Sequence, residues 1–414
     1  DQTGKTIQYQ YDHAHRIISW INRNDELALT NTYDEKGRVI RQEDGLGNIY
    51  LTEYKDNQTI NIDPNGNQTI YHYDRYGATT SVTYADGNGI LKQYENNLLT
   101  YEKTETELEF YYAYNAQRDL IKKSRSDGFE EEWTYDDRHN VLLYINSEGQ
   151  KTSYTYDANG NETSKTDALG NTIYKTYDAA SNLLSETDGN GNVTSYSYNA
   201  HNQVCKTIYA DGSYDTYTYD SNGYLASTTD AYGHTTYFVH NERNELVLLT
   251  NPDGSTIKYE YDHNGNRTAI KDENGYVTRF TYDLYGRVLS SVDPMHHVTK
   301  YTYDANGNCL QTTHPDGSVI INTYDSRDRL LSVLNNTHLT SYTYGVYGIE
   351  TITNERNQIK RFVYDQLGNV IKIIDFDGLV TMHAYDRLSR LLTTTDAKGK
   401  QTEYVYDLLD RLIQ

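Results

Sequence analysis

The sequence contains little of what most chains use to build a core or a cross-linked framework. Among 414 residues there are only 2 Cys, 4 Pro, 2 Met and 6 Phe. Cys205 and Cys309 lie far apart and belong to no Cys-x-x-Cys motif, so neither a disulfide framework nor a zinc site is indicated. No apolar run approaches the roughly 18 residues that a membrane-spanning helix needs. A conventional apolar core and a membrane span are therefore not expected.

Positive charge is also scarce. Lys and Arg number 37 against 59 Asp and Glu, which gives a net charge of -22. Nucleic acids and anionic lipid surfaces attract basic proteins, so no nucleic-acid partner is expected, whereas a basic partner is compatible with this charge. The chain begins at Asp1 without Met or a signal segment, and we expect it to be a fragment of a longer protein.

Tyrosine is abundant, with 44 residues, and it marks an internal repeat. Each ring placed in a core needs a partner for its hydroxyl group. The pair Tyr-Asp recurs with a usual step of about 21 residues, which indicates one repeated supersecondary unit. The tyrosines of these pairs are Tyr11, Tyr33, Tyr73, Tyr135, Tyr156, Tyr177, Tyr219, Tyr261, Tyr282, Tyr303, Tyr324, Tyr364, Tyr385 and Tyr406. Degenerate copies complete about 20 repeats, so residues 1–414 are predicted to be one repeat domain with no separate second domain.

One repeat, residues 171–192, shows how the unit is built. Two short extended segments, 172–178 and 183–188, alternate with turns rich in Asn, Asp and Gly. Tyrosines such as Tyr154 and Tyr156 stand two apart, which places both rings on one face of a strand, with Thr, Ser and Lys on the other. Asn-Gly and Asp-Gly pairs accept the positive φ of tight hairpin turns. The sequence therefore predicts antiparallel β-structure nearly throughout.

Two segments interrupt this pattern. The run Glu105, Glu107 and Glu109 resembles an acidic site, but the alternating apolar residues beside it predict a strand with its acids on the solvent face. Residues 334–361 lose the Gly turns, which predicts a longer loop there.

Three architectures fit a 21-residue unit: a solenoid coil, half a propeller blade, or a hairpin of one continuous sheet. A propeller would need about 10 blades, more than the usual number of about 4 to 8. Tight turns at both ends of each unit favour hairpins, and about 40 strands would form a ribbon on the order of 190 Å long. An open sheet of that size must curve. A solenoid rod roughly 95 Å long stays as the alternative.

The motif Tyr-Asp-x-x-Gly, followed by a Leu or Val strand and a second Asp-x-x-Gly-Asn turn, resembles the RHS/YD-repeat family. Members include bacterial Rhs polymorphic toxins, wall-associated proteins, the C component of insecticidal toxin complexes, and teneurins. The resemblance implies an all-β fold in which YD-repeat hairpins form one long antiparallel curved ribbon, part of a hollow spiral shell. The residues that carry the repeat signature are Tyr156, Asp157, Gly160, Tyr177, Asp178, Tyr219, Asp220, Tyr261, Asp262, Gly265, Tyr282, Asp283, Gly286, Tyr303, Asp304 and Gly307.

The resemblance also implies a function. Bacterial members enclose a toxin domain, so the implied partners are a toxin domain of the same or a longer chain and other shell or secretion components. The implied location is secreted or at the cell surface, with no enzymatic activity. A cell-surface adhesion or carbohydrate-binding module is the alternative. Family members release the toxin at an Asp-Pro-x-Gly motif, but Asp63-Pro64-Asn65-Gly66 occupies an ordinary turn position, and Asp293-Pro294 lacks the Gly.

No catalytic, cofactor-binding or metal-binding residues are predicted. The alternating oxygens of Asp157, Asn159 and Asn161 suit calcium, but the short turn lacks the closing acid of a calcium loop. Side-chain capping of the turn by the Asp is the favoured interpretation. The tyrosine pairs are predicted to hold neighbouring hairpins together by stacking rather than to bind glycans.

Overall fold

The computed structural model describes residues 5–414, and every regular element in that range is a β-strand. The described residues form 39 strands in one antiparallel sheet, which confirms the predicted all-β ribbon. The strands are β1 Gln8–Tyr11, β2 Ile17–Ile21, β3 Leu27–Tyr33, β4 Val39–Asp44, β5 Ile49–Lys55, β6 Gln58–Ile62, β7 Gln68–Tyr73, β8 Thr79–Thr83, β9 Gly89–Glu95, β10 Leu98–Lys103, β11 Glu109–Tyr114, β12 Leu120–Arg125, β13 Glu130–Tyr135, β14 Val141–Ile145, β15 Lys151–Tyr156, β16 Glu162–Thr166, β17 Thr172–Tyr177, β18 Leu183–Thr187, β19 Val193–Tyr198 and β20 Val204–Ile208. They continue as β21 Tyr214–Tyr219, β22 Leu225–Thr229, β23 Thr235–His240, β24 Leu246–Thr250, β25 Thr256–Tyr261, β26 Arg267–Lys271, β27 Val277–Tyr282, β28 Val288–Val292, β29 Val298–Tyr303, β30 Cys309–Thr313, β31 Val319–Tyr324, β32 Leu330–Asn335, β33 His338–Tyr344, β34 Ile349–Thr353, β35 Ile359–Tyr364, β36 Val370–Ile374, β37 Val380–Tyr385, β38 Leu391–Thr395 and β39 Gln401–Glu403.

Consecutive strands pair as hairpins, as the tight turns predict. In the β15–β16 hairpin, Thr155 lies opposite Ser164, but Tyr156 lies opposite Glu162. The second strand therefore carries one extra residue, a β-bulge, just after the turn. The same register shift recurs in hairpin after hairpin, for example before Tyr177 and before Tyr219. A bulge of this kind increases the local right-handed twist of its hairpin.

The two faces of the strands are only partly covered. In β29, Thr299, Tyr301 and Tyr303 are half-buried, whereas Lys300 and Thr302 on the other face are exposed. Only Ala28, Ile60, Val82 and Ala269 are buried apolar residues within the described range, and none of its side chains is fully buried. The sheet is therefore stabilised mainly by its hydrogen-bond ladders and side-chain pairs rather than by an apolar core.

The chain divides into two compact units. Within the described residues, the first contains residues 5–90, 236–345 and 349–359, and the second contains residues 91–235, 346–348 and 360–414. Each unit thus combines segments that are distant in sequence.

Two of the local predictions are wrong. Glu105 and Glu107 lie in the turn between β10 and β11, with Glu107 at φ 65°, and only Glu109 lies in a strand. The loop predicted in residues 334–361 is absent, because β32 and β33 are joined by the two-residue turn Asn336-Thr337. Asn336 has φ 54° there, so Asn supplies the left-handed conformation that Gly supplies elsewhere.

Candidate functional site

The recurring site of this chain is the turn that follows each Tyr-Asp pair, which we call a YD turn. In the YD turn 157–161, Oδ1 of Asp157 accepts hydrogen bonds from the backbone N–H of Asn159 at 2.8 Å and of Asn161 at 2.9 Å. Its Oδ2 accepts a third bond from the side-chain amide of Asn161 at 2.9 Å. These hydrogen bonds lower the pKa of Asp157. The carboxylate therefore caps the turn, in agreement with the predicted Asx-type turn.

Backbone geometry closes the same turn. The N–H of Gly160 donates to the carbonyl of Asp157 at 3.1 Å, and the N–H of Asp157 donates to the carbonyl of Asn161 at 3.0 Å. Gly160 has φ 87°, in the left-handed region that favours glycine. Gly265, Gly286 and Gly307 also have positive φ. At the other signature positions the Asp likewise caps its turn, with carboxylates contributed by Asp178, Asp220, Asp262, Asp283 and Asp304.

We expect Asp157→Ala to loosen this turn without unfolding the ribbon. The substitution removes the acceptor for the amides of Asn159 and Asn161, while the backbone bonds of the turn are kept. Hydrogen exchange of these two amides should accelerate by roughly tenfold. Asp157→Asn keeps an acceptor oxygen and should change the exchange less, so equal acceleration in both variants would contradict the capping role.

The signature tyrosines act through their hydroxyl groups. The hydroxyl of Tyr156 donates to the carbonyl of Val141 at 3.0 Å, which lies one hairpin earlier in the chain. The sequence predicts ring stacking between hairpins, whereas the contact observed for these tyrosines is a hydrogen bond. The same bond to a carbonyl 15 residues earlier is made by Tyr114, Tyr135, Tyr177, Tyr198, Tyr219, Tyr261, Tyr282, Tyr303, Tyr324 and Tyr406.

The end of the strand ladder explains why that carbonyl is available. Strand β14 pairs with β15 only from Leu143 to Ile145, so Val141 lies beyond the ladder on that side. The hydroxyl of Tyr156 bonds to the carbonyl there and connects one hairpin to the next. Burial raises the pKa of Tyr156, so the hydroxyl keeps its proton over a wide pH range.

The turns at the other end of the hairpins, which we call return turns, contact YD turns within the first unit. We call residues 5–90 its first stretch and residues 236–345 its second stretch. Return turns of the first stretch meet YD turns of the second, about 240 residues later in the chain. The ribbon therefore binds to itself through its two rows of turns.

One of these contacts involves a buried carboxylate. Asp44, which begins the return turn 44–48, is 3% exposed. Its Oδ2 accepts a hydrogen bond from the hydroxyl of Tyr285, in the YD turn 283–287. Burial raises the pKa of Asp44, but the bonds from Tyr285, Asn48 and Leu46 outweigh it, and the net shift is downward. A Cβ on the adjacent Gly45 would lie 1.8 Å from the backbone carbonyl oxygen of Leu27, so the packing of this return turn against β3 requires glycine.

Amide and guanidinium groups make the neighbouring contacts. Asn65 donates to Asp304 at 3.1 Å, and Asn306 donates to Asp63 at 2.7 Å. Arg327 forms an ion pair with Asp86 at 3.0 Å. Asp304 and Asp63 therefore face amides and Asp86 faces a guanidinium group, whereas Asp44 faces the hydroxyl of Tyr285.

The second unit contains contacts of the same kind. Arg387, in the YD turn 386–390, donates to the carbonyl of Gly128 at 3.4 Å and lies 3.6 Å from the carboxylate of Glu148. Tyr347 donates to the carbonyl of Thr106 at 3.4 Å. The sequence predicts none of these contacts, because they join turns that are distant in the chain.

Other kinds of site were sought in residues 5–414. No group of three or more His, Cys, Asp or Glu residues there could hold a metal ion, and no helical segment there could cross a bilayer. A cavity of about 460 Å³ in the first unit is lined partly by Tyr50, Asn61, Tyr84, Asp63 and Arg327. The last two residues already belong to the contacts between the two stretches.

Comparison with known proteins identifies the repeat. The sequence profile described as teneurin YD-shell matches residues 129–288 and 280–413. The chain belongs to the YD-shell family. No curated protein matches it significantly.

Solved structures share the YD-shell fold at low sequence identity. The crystal structure of TcdB2-TccC3 matches with a TM-score of 0.75 and 14% identity, over 99% of this chain and 28% of that chain. The crystal structure of TcdB2-TccC3-TEV matches with a TM-score of 0.74 and 15% identity, over 97% of this chain and 27% of that chain. The structure of the Photorhabdus luminescens Tc holotoxin pore matches with a TM-score of 0.74 and 14% identity, again over 97% of this chain and 27% of that chain. This chain thus spans little more than a quarter of the length of the chains it matches.

Proposed function

We propose that this YD-shell chain is a non-enzymatic segment of the wall of a shell that encloses a toxin domain. The proposed cargo is a toxin domain of the same or a longer chain, and other shell or secretion components are the proposed neighbours. The proposed location is secreted or at the cell surface. The observation that carries this proposal is the contact between return turns and YD turns in each unit, because it makes the sheet wider than one ribbon.

A wall needs to be closed to proteases and stable without an apolar core. Hydrogen-bonded strands leave little unpaired backbone for a protease to bind, and the capped turns protect both rows of turns. The contacts through Asp44, Asp63 and Asp86 join adjacent stretches where a single ribbon would leave a gap. The similarity to structures of TcdB2-TccC3 supports the shell fold, and the toxin cargo follows from the family resemblance.

Small-angle X-ray scattering from this chain tests the proposal. A curved wall around a void should give a pair-distance distribution with its maximum shifted to long distances, as expected for a hollow particle. A solid rod roughly 95 Å long would contradict the shell and favour the solenoid adhesion module. The urea-unfolded chain serves as the control, with the larger radius of gyration of a random coil.

A further inference from the structure

One face of the sheet in the second stretch of the first unit carries a series of cations. Lys258, Arg279 and Lys300 occupy the same position of three consecutive repeats, at steps of 21 residues. All three are exposed, on the face of their strands opposite the signature tyrosines. The repeats on either side place the uncharged residues Tyr237 and Ile321 at this position. The cations are therefore confined to strands β25 to β29.

A fourth cation joins the series. Lys271 in β26 lies directly opposite Lys258 in β25, and both residues are exposed. We call Lys258, Lys271, Arg279 and Lys300 the cationic row. Like charges directly opposite each other on a sheet destabilise it, so the fold gains nothing from this pair. Elsewhere in the ribbon lysines lie opposite acids, as in the pairs Lys92 with Glu102 and Lys122 with Glu132.

Little in the chain neutralises the cationic row. Arg279 lies 3.7 Å from the carboxylate of Glu260, but the two side chains are 62% and 69% exposed, and ion pairs in such positions are weak. Within residues 5–414, Lys258, Lys271 and Lys300 form no ion pair. This face is therefore locally positive in a chain whose net charge is -22.

The strand register sets the length of the cationic row. Arg279 lies opposite Ala269, two residues from Lys271, and Lys300 lies opposite Ser290 in the next hairpin. The row thus runs diagonally across four strand spacings of about 4.8 Å each, roughly 20 Å in all. An extended peptide covers that distance with about six residues at about 3.3 Å per residue. We propose that the cationic row binds an extended acidic segment of another polypeptide.

The chemistry favours a short acidic peptide over a longer polyanion. Alternate side chains of an extended peptide point to the same side, so about three of its six carboxylates face the sheet. Lysine and arginine side chains donate charge-assisted hydrogen bonds to such carboxylates. The net charge of the chain repels a nucleic acid, which extends well beyond the row. At about 0.15 M salt the screening length is about 8 Å, so a short peptide interacts mainly with the row itself.

Fluorescence anisotropy of labelled hexaglutamate, titrated with this chain at about 0.15 M salt, tests the proposal. The wild type should bind the peptide, and Lys258→Thr combined with Lys271→Thr should weaken the binding at least tenfold. Thr216 and Thr250 occupy these two positions in other repeats, so the variant keeps native strand residues. The variant should also unfold at a higher urea concentration than the wild type, because it relieves the repulsion between the two lysines. This second measurement distinguishes lost binding from lost folding.

A matched control removes two exposed lysines from the second unit. Lys151→Thr combined with Lys165→Thr changes the net charge by the same amount, and Thr172 and Thr207 occupy these positions in other repeats. This control should bind hexaglutamate as the wild type does, and hexaglutamine should not bind to either. No saturable binding up to about 0.5 mM chain would overturn the proposal. So would equal affinity of the wild type and the cationic-row variant, equal weakening in the control, or tighter binding of a single-stranded oligonucleotide than of hexaglutamate.

Discussion

Replacing Tyr156, Tyr198 and Tyr219 together by Phe should lower the free energy of unfolding of the second unit by about 3 kcal/mol. Each hydroxyl donates to the carbonyl that lies beyond the strand ladder of the preceding hairpin, at 3.0, 2.8 and 2.8 Å. Phe keeps the ring and its packing but leaves this half-buried carbonyl without its donor. One such bond is worth about 1 kcal/mol, and contributions from well-separated sites are close to additive.

The chain provides a matched control for this triple variant. Tyr154, Tyr196 and Tyr217 stand two residues earlier in the same strands, on the same face, and within residues 5–414 their hydroxyls make no hydrogen bond to such a carbonyl. Their replacement by Phe removes the same three atoms and should cost less than about 1 kcal/mol in total. Urea unfolding followed by circular dichroism measures both variants. Equal destabilisation would show that the hydroxyls act through solvation rather than through the bond to the preceding hairpin.

The different outcomes of the sequence predictions follow from how far apart the interacting residues are. The alternation of Tyr154 and Tyr156 with Thr predicts the strands, and the Asp-x-x-Gly spacing predicts the YD turns, because strand and turn are set by residues within one repeat. The segment from Glu105 to Glu109 departs from its prediction. Its alternation favours a strand, but Thr104, whose side-chain oxygen accepts from the N–H of Leu108, starts a return turn without any Gly.

The hydrogen bonds of the tyrosine hydroxyls and the contacts between the two stretches of the first unit are seen only in the structure. A tyrosine hydroxyl on a strand face can bond to water or to protein, and the amino-acid sequence does not show which. The carbonyl of Val141 is available to Tyr156 only because the bulge and the short ladder leave it unpaired. Asp44 and Tyr285 are separated by 241 residues in the chain. A repeat pattern describes each hairpin but does not show which distant turns meet.

Tyr285→Phe should destabilise the contact between the two stretches of the first unit by about 2 kcal/mol. Asp44 is 3% exposed, and hydrogen bonds compensate for the burial of its carboxylate. Removing the hydroxyl of Tyr285 removes one of these hydrogen bonds. Hydrogen bonds to charged groups contribute more than neutral ones, roughly 1.5 to 3 kcal/mol. Hydrogen exchange of the amides of Leu46 and Asn48, which donate to the same carboxylate, should report the local opening.

Tyr76→Phe is the control for this variant. Tyr76 occupies the same position of its YD turn as Tyr285 but is 68% exposed, and its hydroxyl contacts no carboxylate within residues 5–414, so the substitution should leave the exchange of Leu46 and Asn48 unchanged. An equal effect of both substitutions would contradict a specific contact between Tyr285 and Asp44.

The pH dependence separates the charged hydrogen bond from a steric effect. The pKa of Asp44 in the folded chain is lowered, so its contribution is fully present above the unfolded value of about 3.9 and is lost as the pH falls through the folded pKa. The difference between wild type and Tyr285→Phe should therefore be constant from neutral pH to about pH 5. Below pH 4 it should shrink toward the value for a neutral hydrogen bond, about 1 kcal/mol, as the carboxylate takes up its proton. A difference that does not change with pH would assign the effect to packing around Gly45 and Leu284 instead.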